Sequence, residues 1–491
     1  MDGTGRRRWW VLAALALCTV VIGLDTTVLS VALPTLAGDL GASTADLQWI
    51  TTSYLLVLAA TLLPAGMLGD RYGRKKLLLV ALVIFGVASA ACALAGTAEQ
   101  LVAARAALGL GSAIIMSLIG AVLTVLFDDR ERPRALTIWI TANSLGIPLG
   151  PLLGGWLLDH FHWGSVFLIN LPIVGLGLIA VAVLMTESYG DRRRRFDVPG
   201  ILLSATGLVA LTYGIIEAGE KGWSDRPALA TIVLGVVALG ALVLWQLRAA
   251  APLIDLALFR NRSFAGGTLL ATIAGFAFFG LLFALPQFFQ AVGGADAFGT
   301  GLRLLPIIGG LMIGARTGEK LAARFGARAV IAAGLALIAG SLFTGAATTT
   351  VETGYRWLAV WITVTGIGLG LTLPTSMNVT ISTLGAERSG AGNALIQAIR
   401  QVGAAIGVAV LGMVLNAAYR DSADGAGLPP EVRDSVASGV ARAGSPAVLD
   451  AVRAAFTHGM DVSLTVAGAV AAAGVVLALT VLPGKAATAA E

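Results

Sequence analysis

Charge is scarce in this chain: Asp, Glu, Lys and Arg make up only 12% of its 491 residues, against roughly 25% in an average soluble domain. A soluble fold of this length needs polar cover for its surface, so the scarcity excludes one. Cysteine and histidine are scarcer still. Cys18 and Cys92 both sit inside apolar runs, and His160, His162 and His458 show no ligand spacing. No disulfide framework, metal site, cofactor or catalytic cluster is expected. A nucleotide-binding loop of the Walker type is also missing, so energy for any transport must come from a gradient.

Hydrophobic residues, by contrast, make up 57% of the chain. They fall into runs of roughly 18 to 25 residues, long enough to cross a ~30 Å hydrocarbon core as helices. Fourteen such spans are expected, at about 10–33, 48–69, 77–96, 101–126, 135–157, 165–185, 198–217, 227–247, 264–287, 300–321, 328–347, 357–377, 390–416 and 456–482. The 62 glycines suit close helix packing in lipid. Arg6–Arg8 precede a first run that is too long for a signal peptide and lacks an Ala-x-Ala exit, so it reads as an uncleaved helix.

The net charge of +5 does not mark a nucleic-acid partner, because the basic residues lie between apolar runs. Loops on the side of the termini carry 22 Lys and Arg, including Arg192–Arg195, Arg388 and Lys485; the opposite side carries seven. The positive-inside rule then puts both termini in the cytoplasm of a multi-pass plasma-membrane protein. Arg192–Arg195 also suit anionic lipid. Trp9 and Trp10 stand where an interfacial aromatic belt begins. The segment at about 417–455, with Pro429 and Pro430, reads as one long external loop.

A faint repeat runs through the chain. Leu68-Gly-Asp-Arg71-Tyr-Gly73 follows the second span and Leu321-Ala-Ala-Arg324-Phe-Gly326 follows the tenth. Gly146-x-x-x-Gly150 in the fifth span matches Gly403-x-x-x-Gly407 in the thirteenth. Both pairs are eight spans apart, which predicts two parallel six-helix halves (1–190 and 261–491) around two inserted helices (191–260).

Five motifs now stand in order. They are Leu24-Asp25-Thr-Thr-Val-Leu-Ser30-Val-Ala-Leu-Pro34, Gly66 to Arg74, Arg105-x-x-Leu108-Gly109-x-Gly111, Gly146-x-x-x-Gly150-Pro151-x-x-Gly154-Gly155, and Trp163 to Pro172. Together they resemble the major facilitator superfamily, and within it the fourteen-helix drug:proton antiporters. Ser30 stands where that family more often has asparagine, and Leu108 where it often has glutamine. The resemblance implies an all-α membrane fold of 6+2+6 helices, alternating access, and export of drugs, antibiotics or other natural products in exchange for protons. In that family the motif of helix five marks antiporters rather than importers.

The residues carry their own physics. Asp25 lies roughly 22 Å into helix one and Arg105 roughly 8 Å into helix four from the other face, at 1.5 Å per residue. These depths nearly coincide, so the two can pair, either as a proton carrier tuned by an arginine or as a structural ion pair. Asp70 and Arg74 are one turn apart at a helix end, with Arg71 and with Gly66, Gly69 and Gly73 beside them. They read as a gate between the halves or as a topology signal. Gly146, Gly150, Pro151, Gly154 and Gly155 permit a bend and close packing. Asn393, Gln397 and Arg400 share one stripe of helix thirteen with Arg400 near midplane, and either line a cavity or bond between helices. Asp461 is a second titrating site or an interfacial charge. Tyr54, Asn143 and Asn378, with Phe276, Phe279 and Gln287, are further cavity candidates.

The chain is thus expected to be a proton-coupled exporter of small amphipathic molecules, acting as a monomer in the lipid bilayer. Proton-coupled nutrient uptake is the rival within its class, and a membrane-bound enzyme or sensor the rival outside it. Exporters of the family it resembles that favour cationic drugs often carry further acids in the second half; Arg316 and Arg400 stand here instead, which leaves room for neutral or anionic natural products.

Overall fold

The computed structural model describes residues 3–128, 130–190, 196–249, 252–384, 389–433 and 435–484. Arg192–Arg195, Arg388 and Lys485 lie outside them.

Among the described residues, fourteen helices are long and apolar enough to span a membrane. They are α1 Arg8–Asp39, α2 Thr44–Tyr72, α3 Arg74–Ala93, α4 Ala98–Leu123, α5 Arg134–His160, α6 Ser165–Leu184, α7 Val198–Lys221 and α8 Arg226–Gln246. The second half holds α9 Arg262–Val292, α10 Ala297–Phe325, α11 Ala327–Thr348, α12 Tyr355–Ser382, α13 Gly392–Gly425 and α14 Pro446–Val481. The even count puts the start of α1 and the end of α14 on one face, the terminal face; the other is the distal face. Outward-pointing Val233, Leu234, Val236 and Val237 of α8 are exposed, as lipid contact allows and water does not. The chain is a multi-pass membrane protein.

Local chemistry sets the helix ends. Ser43 and Asp46 form a reciprocal capping box on α2, with Ser43 Oγ accepting from Asp46 N at 3.1 Å and Asp46 Oδ2 accepting from Ser43 N at 2.9 Å. Thr97, Asp225 and Asp296 cap α4, α8 and α10. Gly73 and Gly326, the repeated glycines, join α2 to α3 and α10 to α11 at φ +109° and +88°. A side chain would strain both junctions.

The repeat is visible in the packing. In the first half α1 packs on α5, α2 on α4, and α3 on α4 and α6. In the second half α9 packs on α13, α10 on α12, and α11 on α12 and α14, the same pairings moved by eight. The halves meet where α5 crosses α10, α2 meets α13 and α1 meets α9. The inserted α7 and α8 pack on each other, and α7 also lies on α2 and α13.

One expected boundary is wrong. The segment at 417–455 is mostly helix, because α13 runs on to Gly425 and α14 begins at Pro446 behind a Ser445 cap. Hydropathy marks only the lipid-buried part of a helix, so ends that project past the membrane read as loop. What remains, 426–445, contains the short helix Val436–Ala441 and packs into the second half through Leu428, Val432 and Val436. Tyr419 Oη donates to Val432 O at 2.6 Å.

Candidate functional site

Asp25 and Arg105 form a buried ion pair. Arg105 Nη1 donates to Asp25 Oδ2 at 2.7 Å, and the two residues are 1% exposed or less. Arg105 Nε also donates to Ile50 O at 3.3 Å, and its guanidinium lies 4.4 Å from the centre of the Tyr54 ring. Glycine positions the arginine: a Cβ on Gly109 would press on the backbone of Tyr54, and one on Gly111 on the backbone of Phe85. Pairing relieves the cost of holding either charge in lipid. It does so incompletely, since Asp25 Oδ1 is buried without a hydrogen-bond partner among the described residues. Tyr54, a cavity candidate in the sequence, is fully buried against this pair.

Helix α5 fixes the register of α1 beside that pair. Side chains on Gly146, Gly150 and Gly154 would collide with Val20, Leu24, Thr27 and Val28 of α1, and Asn143 lies against Gly23. Thr27 Oγ1 donates across to Ile147 O at 3.0 Å. The other edge of α5 faces the second half, where Gly155 abuts Ala297 and Phe298 and the Pro151 carbonyl abuts Gly301.

Three polar links between the halves lie toward the distal face. Asp159, at the end of α5, accepts from Ala297 N at 3.1 Å and Phe298 N at 2.9 Å. Gln48 Nε2 donates to Val408 O and Ala409 O at 3.0 and 2.9 Å, and Gln290 Nε2 to Val31 O at 2.9 Å. These bonds tie the two halves together on the distal side. None of these three residues stood out in the sequence, because a polar side chain at a helix end reads as solvated.

On the terminal face, Arg74 Nε and Nη2 donate to Asp70 Oδ1 at 3.0 and 2.7 Å, and Arg74 Nη1 donates to Ala121 O at 3.2 Å. Gly66 and Gly69 lie against Ser117 and Leu118 of α4. The loop is tied to the segment after α6 as well. Glu187 accepts from Lys75 N and Lys76 N at 2.9 and 3.1 Å, Gly190 N donates to Asp70 O at 3.0 Å, and Arg71 stacks over Phe196 at 5.5 Å. All these partners belong to the first half or to the connector that leaves it.

Arg400 sits within α13, half-buried, with Nη1 3.7 Å from Met377 Sδ of α12. Gln397 Oε1 is buried without a partner among the described residues, and Asn393 is half-buried one turn nearer the terminal face. Asn378 is exposed. The backbone of Phe276 lies under Gly407, its side chain is buried in the second-half core, and Gln287 Nε2 donates back to Phe283 O at 2.7 Å. Asp461 is half-buried on α14, whose main neighbours are α9, α11 and α13, so the fold does not bring it to Asp25. Arg316 and Glu319 are exposed, and Glu217 pairs with Lys221.

A second buried carboxylate was not foreseen. Asp197 caps α7 and accepts from Gly200 N (3.0 Å), Trp245 Nε1 (2.7 Å), Gln246 Nε2 (2.6 Å) and Leu253 N (3.0 Å). Burial works to raise its pKa, but the four donors outweigh it and hold the carboxyl below the usual range.

Comparison with known proteins agrees with this architecture. The chain is 33% identical to the tetracenomycin C resistance and export protein of Streptomyces glaucescens, over 97% of this chain and 92% of that one. It is 34% identical to the multidrug efflux pump LfrA of Mycolicibacterium smegmatis, over 96% of each. Its fold matches a bacterial homolog of the human lysosomal transporter Spinster, solved inward-facing and occupied, with a TM-score of 0.68 at 18% identity over 97% of each chain. The family model for the Major Facilitator Superfamily matches residues 15–408, and the chain belongs to that family.

Proposed function

We propose that this protein exports small amphipathic molecules (drugs, antibiotics or other natural products) in exchange for protons, as a monomer in the plasma membrane with its terminal face in the cytoplasm. The observation that carries the proton coupling is the half-satisfied Asp25. One oxygen is held by Arg105 at 2.7 Å, and the other is buried with no partner among the described residues. A proton binding there removes the charge that Arg105 attracts, which loosens α1 from α4 and shifts the balance between the two states. Export itself is supported by the resistance, export and efflux activities that the relatives' names state. The excess of Lys and Arg on the terminal face supports the orientation.

The packing between the halves supports the following cycle. With the Asp159, Gln48 and Gln290 links made, the site is closed to the outside and cargo enters from the cytoplasm. Cargo binding accompanies proton loss from Asp25, and the halves rock until the distal links break. An external proton then binds Asp25 as cargo leaves, and the protein resets. The Asp70–Arg74 pair steadies the cytoplasmic end of the first half through this motion.

Everted vesicles test the reading. An inside-acid gradient is expected to drive accumulation of the compound to which the protein confers resistance, and an uncoupler or Asp25→Asn to abolish it. Proton-driven uptake into intact cells, or full activity of Asp25→Asn, overturns it.

A further inference from the structure

The two most buried arginines among the described residues, Arg74 and Arg105, each hold a carboxylate at 2.7 Å. Arg400 does not. Its single polar contact among the described residues is Met377 Sδ, and a thioether is a weak acceptor. A guanidinium within a membrane span needs a polar partner or a cavity.

The packing of α13 shows which way it faces. Gly403 and Gly407 press on Thr272 and Phe276 of α9, while Gly412 presses on Gln48 of α2. At 100° per residue, Arg400, Gln397 and Asn393 fall in the sector between those two contacts. That sector looks into the space between α9 of the second half and α2 of the first. The Arg400 stem runs along α9, with its Cγ 3.4 Å from where a Cβ on Gly275 would stand. One turn away, Gln397 Oε1 is a buried acceptor that lacks a donor among the described residues. Across the interior, Asp25 and Arg105 cancel each other's charge, whereas Arg400 has no carboxylate against it among the described residues.

We propose that Arg400 and Gln397 form a subsite for an ionised acid group, a carboxylate or phenolate, next to a hydroxyl or amide N–H on the exported molecule. The arginine binds the anionic oxygen and the glutamine carbonyl accepts from the neighbouring donor. Positions three apart on a helix hold their Cβ atoms about 5–6 Å apart, a spacing that suits two adjacent groups on one ring. This rests on the export reading and adds a consequence to it. Exchanging one anion outward for one proton inward moves two positive charges in, so a membrane potential negative inside drives the export.

The test uses the full chain in proteoliposomes with an imposed proton gradient and a potential clamped with potassium and valinomycin. The probes are 1-hydroxy-2-naphthoate, its uncharged methyl ester, and 2-naphthoate, which lacks the hydroxyl. Wild type is expected to carry the hydroxynaphthoate faster than the ester and to speed up as the potential grows. Arg400→Met should lower the anion-to-ester ratio by about tenfold or more, as loss of a charged hydrogen bond implies, while Arg400→Lys keeps most of it. Gln397→Leu should weaken hydroxynaphthoate and leave 2-naphthoate little changed. An anion-to-ester ratio that Arg400→Met does not alter, or ester transport without anion transport, overturns the subsite and leaves export standing. Movement of none of the probes under the gradient overturns the export reading itself.

Discussion

The hydroxyl of Thr27 donates to the carbonyl of Ile147 at 3.0 Å, and Ile147 lies four residues before Pro151. Proline has no N–H, so that carbonyl loses its helical donor. Thr27 supplies the missing bond from a neighbouring helix, two residues along α1 from Asp25. The proline of α5 is therefore tied to the segment that carries the buried carboxylate.

Thr27→Val is expected to lower thermal stability and slow proton-driven transport severalfold, while Thr27→Ser keeps both. Such bonds between membrane helices contribute about 0.6 kcal/mol on average, so the stability loss is small. Pro151→Ala restores the helical N–H. In that background Thr27→Val should cost less than it does alone, and a double-mutant cycle on unfolding temperature measures the difference.

How far the site was legible in the sequence follows from what each residue interrupts. Asp25 and Arg105 each break an apolar run, and the rise per residue places them at one depth, so their meeting could be foreseen. Gly73 and Gly326 were legible for a similar reason, because a repeat aligned them before their backbone angles were known. Asp159 and Gln48 gave no such signal. Their partners lie far along the chain, at Ala297 and Val408, and nothing in hydropathy pairs one helix end with another. Asp197 likewise gave no signal, because Trp245, Gln246 and Leu253 reach it only through the fold.

Removing one partner of the buried pair should harm more than removing both. Arg105→Met leaves the Asp25 carboxylate uncompensated among apolar neighbours, which costs about 3–5 kcal/mol when a buried pair is broken. Adding Asp25→Asn removes that charge. The double variant is expected to unfold at a higher temperature than Arg105→Met, although both lose proton-driven transport. Equal or lower stability of the double variant would show that the pair is not the source of the cost.

Asp197 predicts a pH dependence outside the membrane spans. All four of its partners are donors, so the amide of Asp197→Asn must set its own N–H groups against two of them. A loss of about 3 kcal/mol is expected, as for charged hydrogen bonds broken in a buried place. Because the folded carboxyl titrates below its ordinary value, its contribution is complete above about pH 4, the unfolded carboxylate range. It is lost as pH falls through the folded value. The gap in unfolding temperature between wild type and Asp197→Asn should stay level from about pH 5 to 8 and narrow below about pH 4. A gap that narrows instead toward pH 8 contradicts the assignment.

Asp159 predicts a shift in the balance of states. The start of α10 presents backbone N–H groups that its own turns cannot satisfy. Asp296 takes that of Gly299 at 2.7 Å, and Asp159, reaching across from α5, takes those of Ala297 and Phe298. Those two bonds join the halves on the distal side, so in the proposed cycle they stabilise the distally closed state. Losing a capping carboxylate costs about 1 kcal/mol, which corresponds to about a fivefold change in the ratio of states. Asp159→Ala should therefore raise the population opened at the distal face, and Asp159→Asn, which keeps one acceptor oxygen, should do so less. Spin labels on introduced cysteines at the distal ends of α5 and α10 can read the ratio by double electron–electron resonance. The native thiols, Cys18 and Cys92, are buried within α1 and α3 and interfere little with labelling. An unchanged distance distribution in Asp159→Ala would mean that the glycine contacts of Gly155 and Gly301 and the Gln48 and Gln290 links hold closure without it, with the carboxylate only capping the helix.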